Sequence, residues 1–341
     1  MPKITFTEAK EFLDNITAED KVAIIHHDDG DGFASGIIFY DWCKQKGAKV
    51  KNIVFGYRIG NEKPDLSQFN KIIITDIAPS GIKELSLPLE KPIFYTDHHP
   101  ETNHIPEEIL EYRTTDQGYI PSARTAGELT EIKKWLSIMG TITDAGDLYP
   151  ENDAFIKEFL KERKLSVSEF RERYSNIFTN TLIYFHEDLQ KAFDIIKDIK
   201  SLEEFRKLDG YSEAIENELG RIVDEYEEKK EKLGYINFFY FETKFYIKKA
   251  LAAIISRNNP DEIIILATPH DEGYISISSR NQSRKRDMVE LVKEGIKGLK
   301  KASAGGHIPA AGAEIQVKDL EKFKENIHNY TTSPKKEKVP L

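Results

Sequence analysis

The stretch "KVAIIHHDDGDGFASG" (residues 21–36) decides how this chain is built. A short apolar run at 22–25 leads straight into His26, His27, Asp28, Asp29 and Asp31, and then into a segment with helical spacing. A continuous rather than alternating apolar run fits a strand covered on both faces, as in a parallel sheet with helical crossovers. In such sheets ligands gather beyond the carboxyl ends of the strands. Carboxylates crowded there repel one another and raise their own pKa values unless cations intervene. The stretch therefore predicts both a fold and a cation site.

Working outward, "IVF" (53–55), "IIIT" (72–75) and "IFY" (93–95) repeat the short apolar run, each followed by polar or glycine-containing turns. The run 33–46 reads as a helix with Phe33, Ile37, Ile38 and Trp42 inward. Asp76 follows "IIIT", while Asp97, His98 and His99 follow "IFYT". Segment 123–144 reads as one or two helices with Leu129, Ile132, Leu136, Met139 and Ile142 inward, and Asp144 at the far end. Four separated segments thus bring His27, Asp29, Asp31, Asp76, Asp97, His98, His99 and Asp144 to one sheet edge. Aspartates in such places are often plain helix caps, which explains any one of them well and four separated sites poorly. Mixed carboxylate and imidazole ligands without thiolate suit Mn²⁺ first, with Mg²⁺, Co²⁺ or Zn²⁺ as alternatives. So many ligands exceed what one ion needs. A pair of divalent ions would share a carboxylate, and Asp76, from the middle of the set, is the natural bridge.

The rest of the chain bounds the answer. Its 341 residues are 39% hydrophobic, enough for more than one core. A net charge of -9 argues against nonspecific coating of nucleic acid, without excluding a local basic groove. A single cysteine, Cys43, excludes an intramolecular disulfide framework and a thiolate zinc cluster. The first residues lack an apolar core of signal-peptide length, and no run of 18 apolar residues occurs, so the expectation is a cytoplasmic protein off the membrane. Residues 1–150 read as a catalytic metal-binding domain. Residues 151–234 read as a charge-dense helical connector, ending in a long exposed helix through "ENELGRIVDEYEEKKEKLG" (216–234). Residues 235–330 read as a smaller α/β domain, beginning with a hairpin or strand pair in "YINFFYFETKFYI" (235–247). Residues 331–341 read as a flexible basic tail.

In that second domain "GGH" (305–307) sets a glycine pair before an imidazole; the glycines can offer backbone N–H groups to an anion and His307 a further donor. The run "SRNQSRKRD" (279–287) adds a local basic surface inviting a phosphate backbone. Arg124, opening a helix in "SARTAG", is positioned to reach the active site.

Together these motifs resemble the DHH phosphoesterases, and in particular the archaeal RecJ-like exonucleases and nano-RNases. The signature tripeptide is Asp97-His98-His99; the flanking motifs read "HHDDGDGFASG" (26–36), "IIITDIAPS" (72–80) and "MGTITDAGD" (139–147), and "GGHIPAAGA" (305–313) resembles the glycine-histidine motif of the associated DHHA1 domain. The resemblance implies an N-terminal parallel-sheet α/β domain, a helical bridge and a DHHA1-type domain, with the active site in the interdomain cleft. It implies that His27 and Asp29 hold one metal, that Asp31, His98 and Asp144 hold a second, and that Asp76 bridges them. His99 would orient or protonate the phosphate, and Asp97 would orient a neighbouring histidine. On the substrate side it implies phosphate contacts from Gly305, Gly306, His307 and Arg280, with Ser278 assisting. The expected activity is exonucleolytic hydrolysis of single-stranded DNA, RNA or short oligonucleotides. The alternatives are a small-nucleotide phosphatase or phosphodiesterase, acting on 3'-phosphoadenosine 5'-phosphate or a cyclic dinucleotide, and an accessory protein in a replication or repair complex. A repair or replication protein partner is open on either view, as are monomer and homodimer.

Overall fold

The computed structural model describes residues 4–56, 63–100, 103–270 and 273–333, which fall into two units meeting at Ser212 and Glu213. In the first, five strands run in the order β2-β1-β3-β4-β5, all parallel: β1 (Lys21–His27), β2 (Lys49–Phe55), β3 (Lys71–Thr75), β4 (Ile93–Asp97) and β5 (Ile109–Arg113). Along β1 the side chains alternate between two cores. Val22 and Ile24 pack with the large helical cluster, while Ala23 and Ile25 pack with Ile72, Ile74, Ile82, Leu85 and Tyr95 on the other face. Both faces are covered, which is why the strand reads as an unbroken apolar run.

Helix α1 (Phe6–Asp14) starts at a capping box in which Thr5 and Glu8 satisfy each other's backbone N–H groups. The crossover α2 (Gly30–Gln45) follows β1 and buries Phe33, Ile37, Ile38 and Phe39. It is joined on that face by α4 (Ser122–Thr130) and α5 (Lys134–Thr143); the short α3 (Pro79–Ile82) follows β3. Strand β5 went unrecognised in the sequence because "ILEYR" carries two charged residues. Both are buried, and Arg113 reaches Glu111 at 3.7 Å and Asp97 at 3.2 Å.

Residues 151–234 do not form one separate body. Helices α6 (Asp153–Arg163), α7 (Val167–Phe170), α8 (Asn176–Tyr184) and α9 (Leu189–Ile196) contribute Phe159, Phe170, Phe178 and Phe193 to the same core as β1. A π-helical turn at Arg171–Ser175 joins α7 to α8. Helix α10 (Asp209–Lys229) crosses from the first unit to the second. The expected exposed helix in fact buries Ile215, Leu219, Ile222 and Tyr226, spaced four, three and four residues apart along a single stripe.

The second unit is a six-stranded mixed sheet in the order β10-β11-β9-β8-β7-β6, antiparallel except between β7 and β8. Its strands are β6 (Glu231–Leu233), β7 (Ile236–Tyr240), β8 (Ile263–His270), β9 (Tyr274–Arg280), β10 (Ser303–His307) and β11 (Ala310–Gln316). Helix α11 (Lys248–Asn258) precedes β8, and α12 (Met288–Gly295) and α13 (Leu320–Thr332) pack on the face carrying Ile275, Ile277 and Ile315. The hairpin lies one segment earlier than expected. Strand β6 turns through Gly234 (φ +62) into β7, and after Phe241 the chain leaves the ladder, with Phe245 N–H donating to Thr243 Oγ1. The start of the expected tail belongs to α13; positions 334–341 lie outside the described residues. Among the described residues no helix is long and apolar enough to cross a membrane.

Candidate metal centre

Parallel register aligns the ends of β1, β3 and β4, so the residues that follow them meet at one edge. Asp29 is the N-cap of α2, accepting from Gly32 N–H at 3.0 Å, and its other oxygen lies 2.9 Å from His27 Nδ1. Two residues on, Asp31 is 1% exposed and receives two backbone N–H groups from the start of α4, Ser122 at 2.7 Å and Ala123 at 2.8 Å. Helices α2, α4 and α5 close around it only because residue 140 is glycine. A Cβ there would stand 2.4 Å from the Ala123 Cβ, 2.7 Å from the Ala34 Cβ and 3.4 Å from Asp31 Oδ1.

Asp76 ends β3 with φ +59, a left-handed conformation that aspartate tolerates better than most residues. Its Oδ1 accepts from Ser122 Oγ at 3.1 Å, and its buried Oδ2 has no hydrogen-bond partner. His98 Nε2 lies 3.3 Å from Asp76, 3.5 Å from Asp144 and 3.8 Å from Asp31. Asp97, fully buried at the end of β4, holds His99 Nδ1 at 2.7 Å and receives Arg113 at 3.2 Å. Three sets of side chains bring ligand atoms within 4.8 Å of one another: His27, Asp29 and Asp76; Asp31, His98 and Asp144; and Asp76, His98 and His99. Asp76 belongs to two of them.

The electrostatics describe a site short of positive charge. Burial, with the charges of Asp76 and Asp144 next, pushes the Asp31 carboxyl well above the usual carboxylate range. Burial and the charges of Asp29, Asp97 and Asp144 do the same to Asp76. Asp144 is raised by burial despite His98 and the Tyr119 hydroxyl. Asp29 goes the other way: crowding by protein atoms pushes it up, but the His27 hydrogen bond and charge, with Gly32 N–H, outweigh that. A buried Asp76 oxygen without a hydrogen bond, 3.9 Å from His27 Nδ1 and among oxygen and imidazole donors, fits divalent cations.

His26 belongs elsewhere. It is fully buried, stacks on Phe193, and pairs with Asn52 Oδ1 at 2.7 Å; burial holds its pKa down at about 4. Arg124 does not reach the cluster as expected. Its guanidinium is taken up by Glu128 (2.8 Å), the Glu151 carbonyl (2.6 Å) and Asn152 (2.9 Å). Asp147 pairs with Arg171 at 2.6 Å, His104 is exposed, and burial pushes the Cys43 thiol up to about 12.

In the second unit Gly305, Gly306 and His307 form part of edge strand β10 rather than a turn. As an edge it leaves alternate backbone N–H groups outside the ladder. Gly306 (φ +138) admits no side chain, since a Cβ would stand 2.6 Å from the Ala310 carbonyl oxygen. Ser278 is buried on β9, and Arg280 ends that strand half-buried, its Nη1 donating to the Ser279 carbonyl at 3.2 Å.

Residues 21–144 match the DHH family, N-terminal domain, and residues 235–333 match the DHHA1 domain. The chain belongs to the DHH/DHHA1 superfamily. Among solved structures it resembles the Mn²⁺ complex of RecJ from Thermus thermophilus (TM-score 0.67, 16% identity), covering 97% of this chain and 55% of that one. The chain thus spans about half the length of that RecJ. It also resembles an exonuclease RecJ bound to manganese (TM-score 0.65, 15% identity, 97% and 95% covered). A third likeness is to the DHH domain of a member of the s1p family of ribosomal proteins (TM-score 0.65, 15% identity, 98% and 91% covered). No curated protein sequence matches the chain.

Two residues of the DHH domain escaped sequence reasoning. Tyr119 donates to Asp144 Oδ2 at 2.6 Å, presents its ring edge to His98, and stacks on Tyr149 at 4.2 Å. Ser122 touches both Asp31 and Asp76. The signal for Ser122 was Pro121 just before a helical run; for Tyr119, in an irregular loop, there was none.

Proposed function

We propose that this protein is a two-metal-ion phosphodiesterase that hydrolyses single-stranded nucleic acid or short oligonucleotides from an end. The observation that carries the reading is Asp76, which belongs to one set of ligand atoms with His27 and Asp29 and to another with His98 and His99, His98 in turn joining Asp31 and Asp144. His27, Asp29 and Asp76 would hold one ion, and Asp76, Asp31, His98 and Asp144 the other, with Mn²⁺ the expected metal. Divalent ions there supply Lewis acidity toward a phosphoryl oxygen and a nucleophile at neutral pH. The chain's own part is placement. Ser122 and the first N–H groups of α4 fix Asp31 and Asp76, and Tyr119 fixes Asp144. Asp97 pins one nitrogen of His99, leaving the other ring nitrogen to orient the phosphate or protonate a departing oxygen. Arg280, His307 and the β10 glycines supply donors for the substrate's phosphates.

The test is a ladder of end-labelled DNA and RNA oligomers, from dinucleotide upward, with Mn²⁺, run beside an Asp76→Ala sample. Stepwise release of mononucleotides by the wild type alone is the expected result. An inert wild type, or an equally active variant, would overturn the reading; cleavage of small nucleotides only would reduce the substrate to that class.

A further inference from the structure

Strand register lays out one face of the second unit's sheet in rows. His307, Ala310 and Arg280 lie side by side, then Gly305, Gly312 and Ser278, then Ser303, Glu314 and Ser276. Ile275 and Ile277 point to the core on the opposite side, so Ser276, Ser278 and Arg280 share this face. The middle row is almost without side chains: a Cβ on Gly305 would meet no atom within 4 Å, and one on Gly312 only the Ile277 carbonyl oxygen at 3.3 Å. The Gly305–Gly312 side of that row is open to an extended ligand.

Lys248, the first residue of α11, reaches this face. Its ammonium donates to Ser276 Oγ and, at 3.5 Å, to the Ile277 carbonyl. Apart from those two acceptors and the charge of Glu314, the position disfavours a cation. It is mostly buried, and burial, with the charges of Lys249 and Arg280, lowers its pKa to about 8. It stands in the first turn of a helix, where the dipole opposes positive charge. Among the described residues no carboxylate lies within ion-pair distance; Glu314, on the neighbouring strand, leans toward His270 at 3.8 Å. Arg280 likewise makes no ion pair there, only its carbonyl contact.

We propose that Lys248 and Ser276 form a second anion subsite on the DHHA1 sheet face, holding a phosphate of the same strand that has another phosphate, about two nucleotides along, held at Arg280. Ser276 and Arg280 are four residues apart, about 13 Å along a strand, a span that a chain with more than one phosphate can bridge and an isolated phosphodiester cannot. The inference rests on the phosphodiesterase reading and narrows it: the preferred substrate is an oligomer, and Lys248 sets that preference.

Two measurements on the full chain test it. With Mn²⁺, Lys248→Met is expected to lower kcat/KM about tenfold or more on a single-stranded oligomer, the scale of losing one charge-assisted contact. The same variant should leave hydrolysis of bis(p-nitrophenyl) phosphate, which has one phosphodiester, within about twofold, and Lys248→Arg should restore most of the loss. In chelator, where no turnover is needed, anisotropy of a labelled oligomer should show a similar loss of affinity in Lys248→Met. Its log Kd against log salt slope should be shallower by about 0.7. Equal losses on both substrates, or unchanged affinity in chelator, would overturn the subsite. A wild type inert on both substrates would instead remove the phosphodiesterase reading, and the chelator titration would still decide the subsite.

Discussion

Asp76 is held in a left-handed backbone conformation, with one carboxylate oxygen lacking a hydrogen bond. Asparagine tolerates that conformation as well as aspartate does, whereas alanine adds roughly 1 kcal/mol of backbone strain. Asp76→Asn should therefore abolish Mn²⁺-dependent hydrolysis while melting in chelator at or above the wild-type temperature, since it removes one of several mutually repelling carboxylates. Asp76→Ala should melt lower, and calorimetry of both variants separates charge from strain. Tyr119→Phe is milder. It removes the donor on Asp144 and should reduce kcat several-fold with stability changed by about 1 kcal/mol; rates and urea midpoints check the split. Lys248 gives a pH signature. Its folded pKa of about 8 lies below the 10.5 of an unperturbed lysine. The unfolded chain therefore takes up the proton first as pH falls, and stability is lost between pH 10.5 and 8, then stays low. By linkage the loss is roughly 3 kcal/mol. Lys248→Met should be more stable than wild type at pH 7 and equal to it near pH 11, measured by denaturant titration at both.

At the scale of elements, the strands that carry the site were legible and the supports that aim it were not. Strands β1, β3 and β4 read as unbroken apolar runs because both faces are covered, and each runs into its candidate metal-ligating residues at a fixed end. Strand β5 was hidden because Glu111 and Arg113 look like solvent-facing charges until Asp97 supplies a buried partner from the neighbouring strand. The glycine pair of β10 was found as a motif, but a strand edge and a turn carry the same residues. Gly140 shows what such supports require. Gly140→Val would drive apart three helices that meet at Asp31, and should cost about 3 kcal/mol along with most of the activity. Gly220, inside α10, has nothing within 4 Å of a built Cβ. Gly220→Ala should raise stability by about 0.5–1 kcal/mol and leave turnover unchanged, which thermal melts and rates on a small phosphodiester will show.

For the whole molecule, the net charge of -9 sits beside Lys248 and Arg280, which make no ion pair among the described residues and share one sheet face. Attraction to a nucleic acid should then be local and shallow in its salt dependence, with a slope reflecting two or three contacts at about 0.7 each; a protein that coats the strand would give a much steeper one. Titrations at several salt concentrations decide between them. The two backbone N–H groups that hold Asp31 are supplied by the fold itself, from the start of α4. The Asp31 carboxylate is gripped by the chain's own donors, so this part of the socket is expected to form as the polypeptide folds, without an ion to gather the loops. Refolding after dilution from denaturant should proceed at the same rate with chelator as with Mn²⁺. On the two-metal reading, protein made without divalent ions would then be folded and complete, needing only the metal to become active.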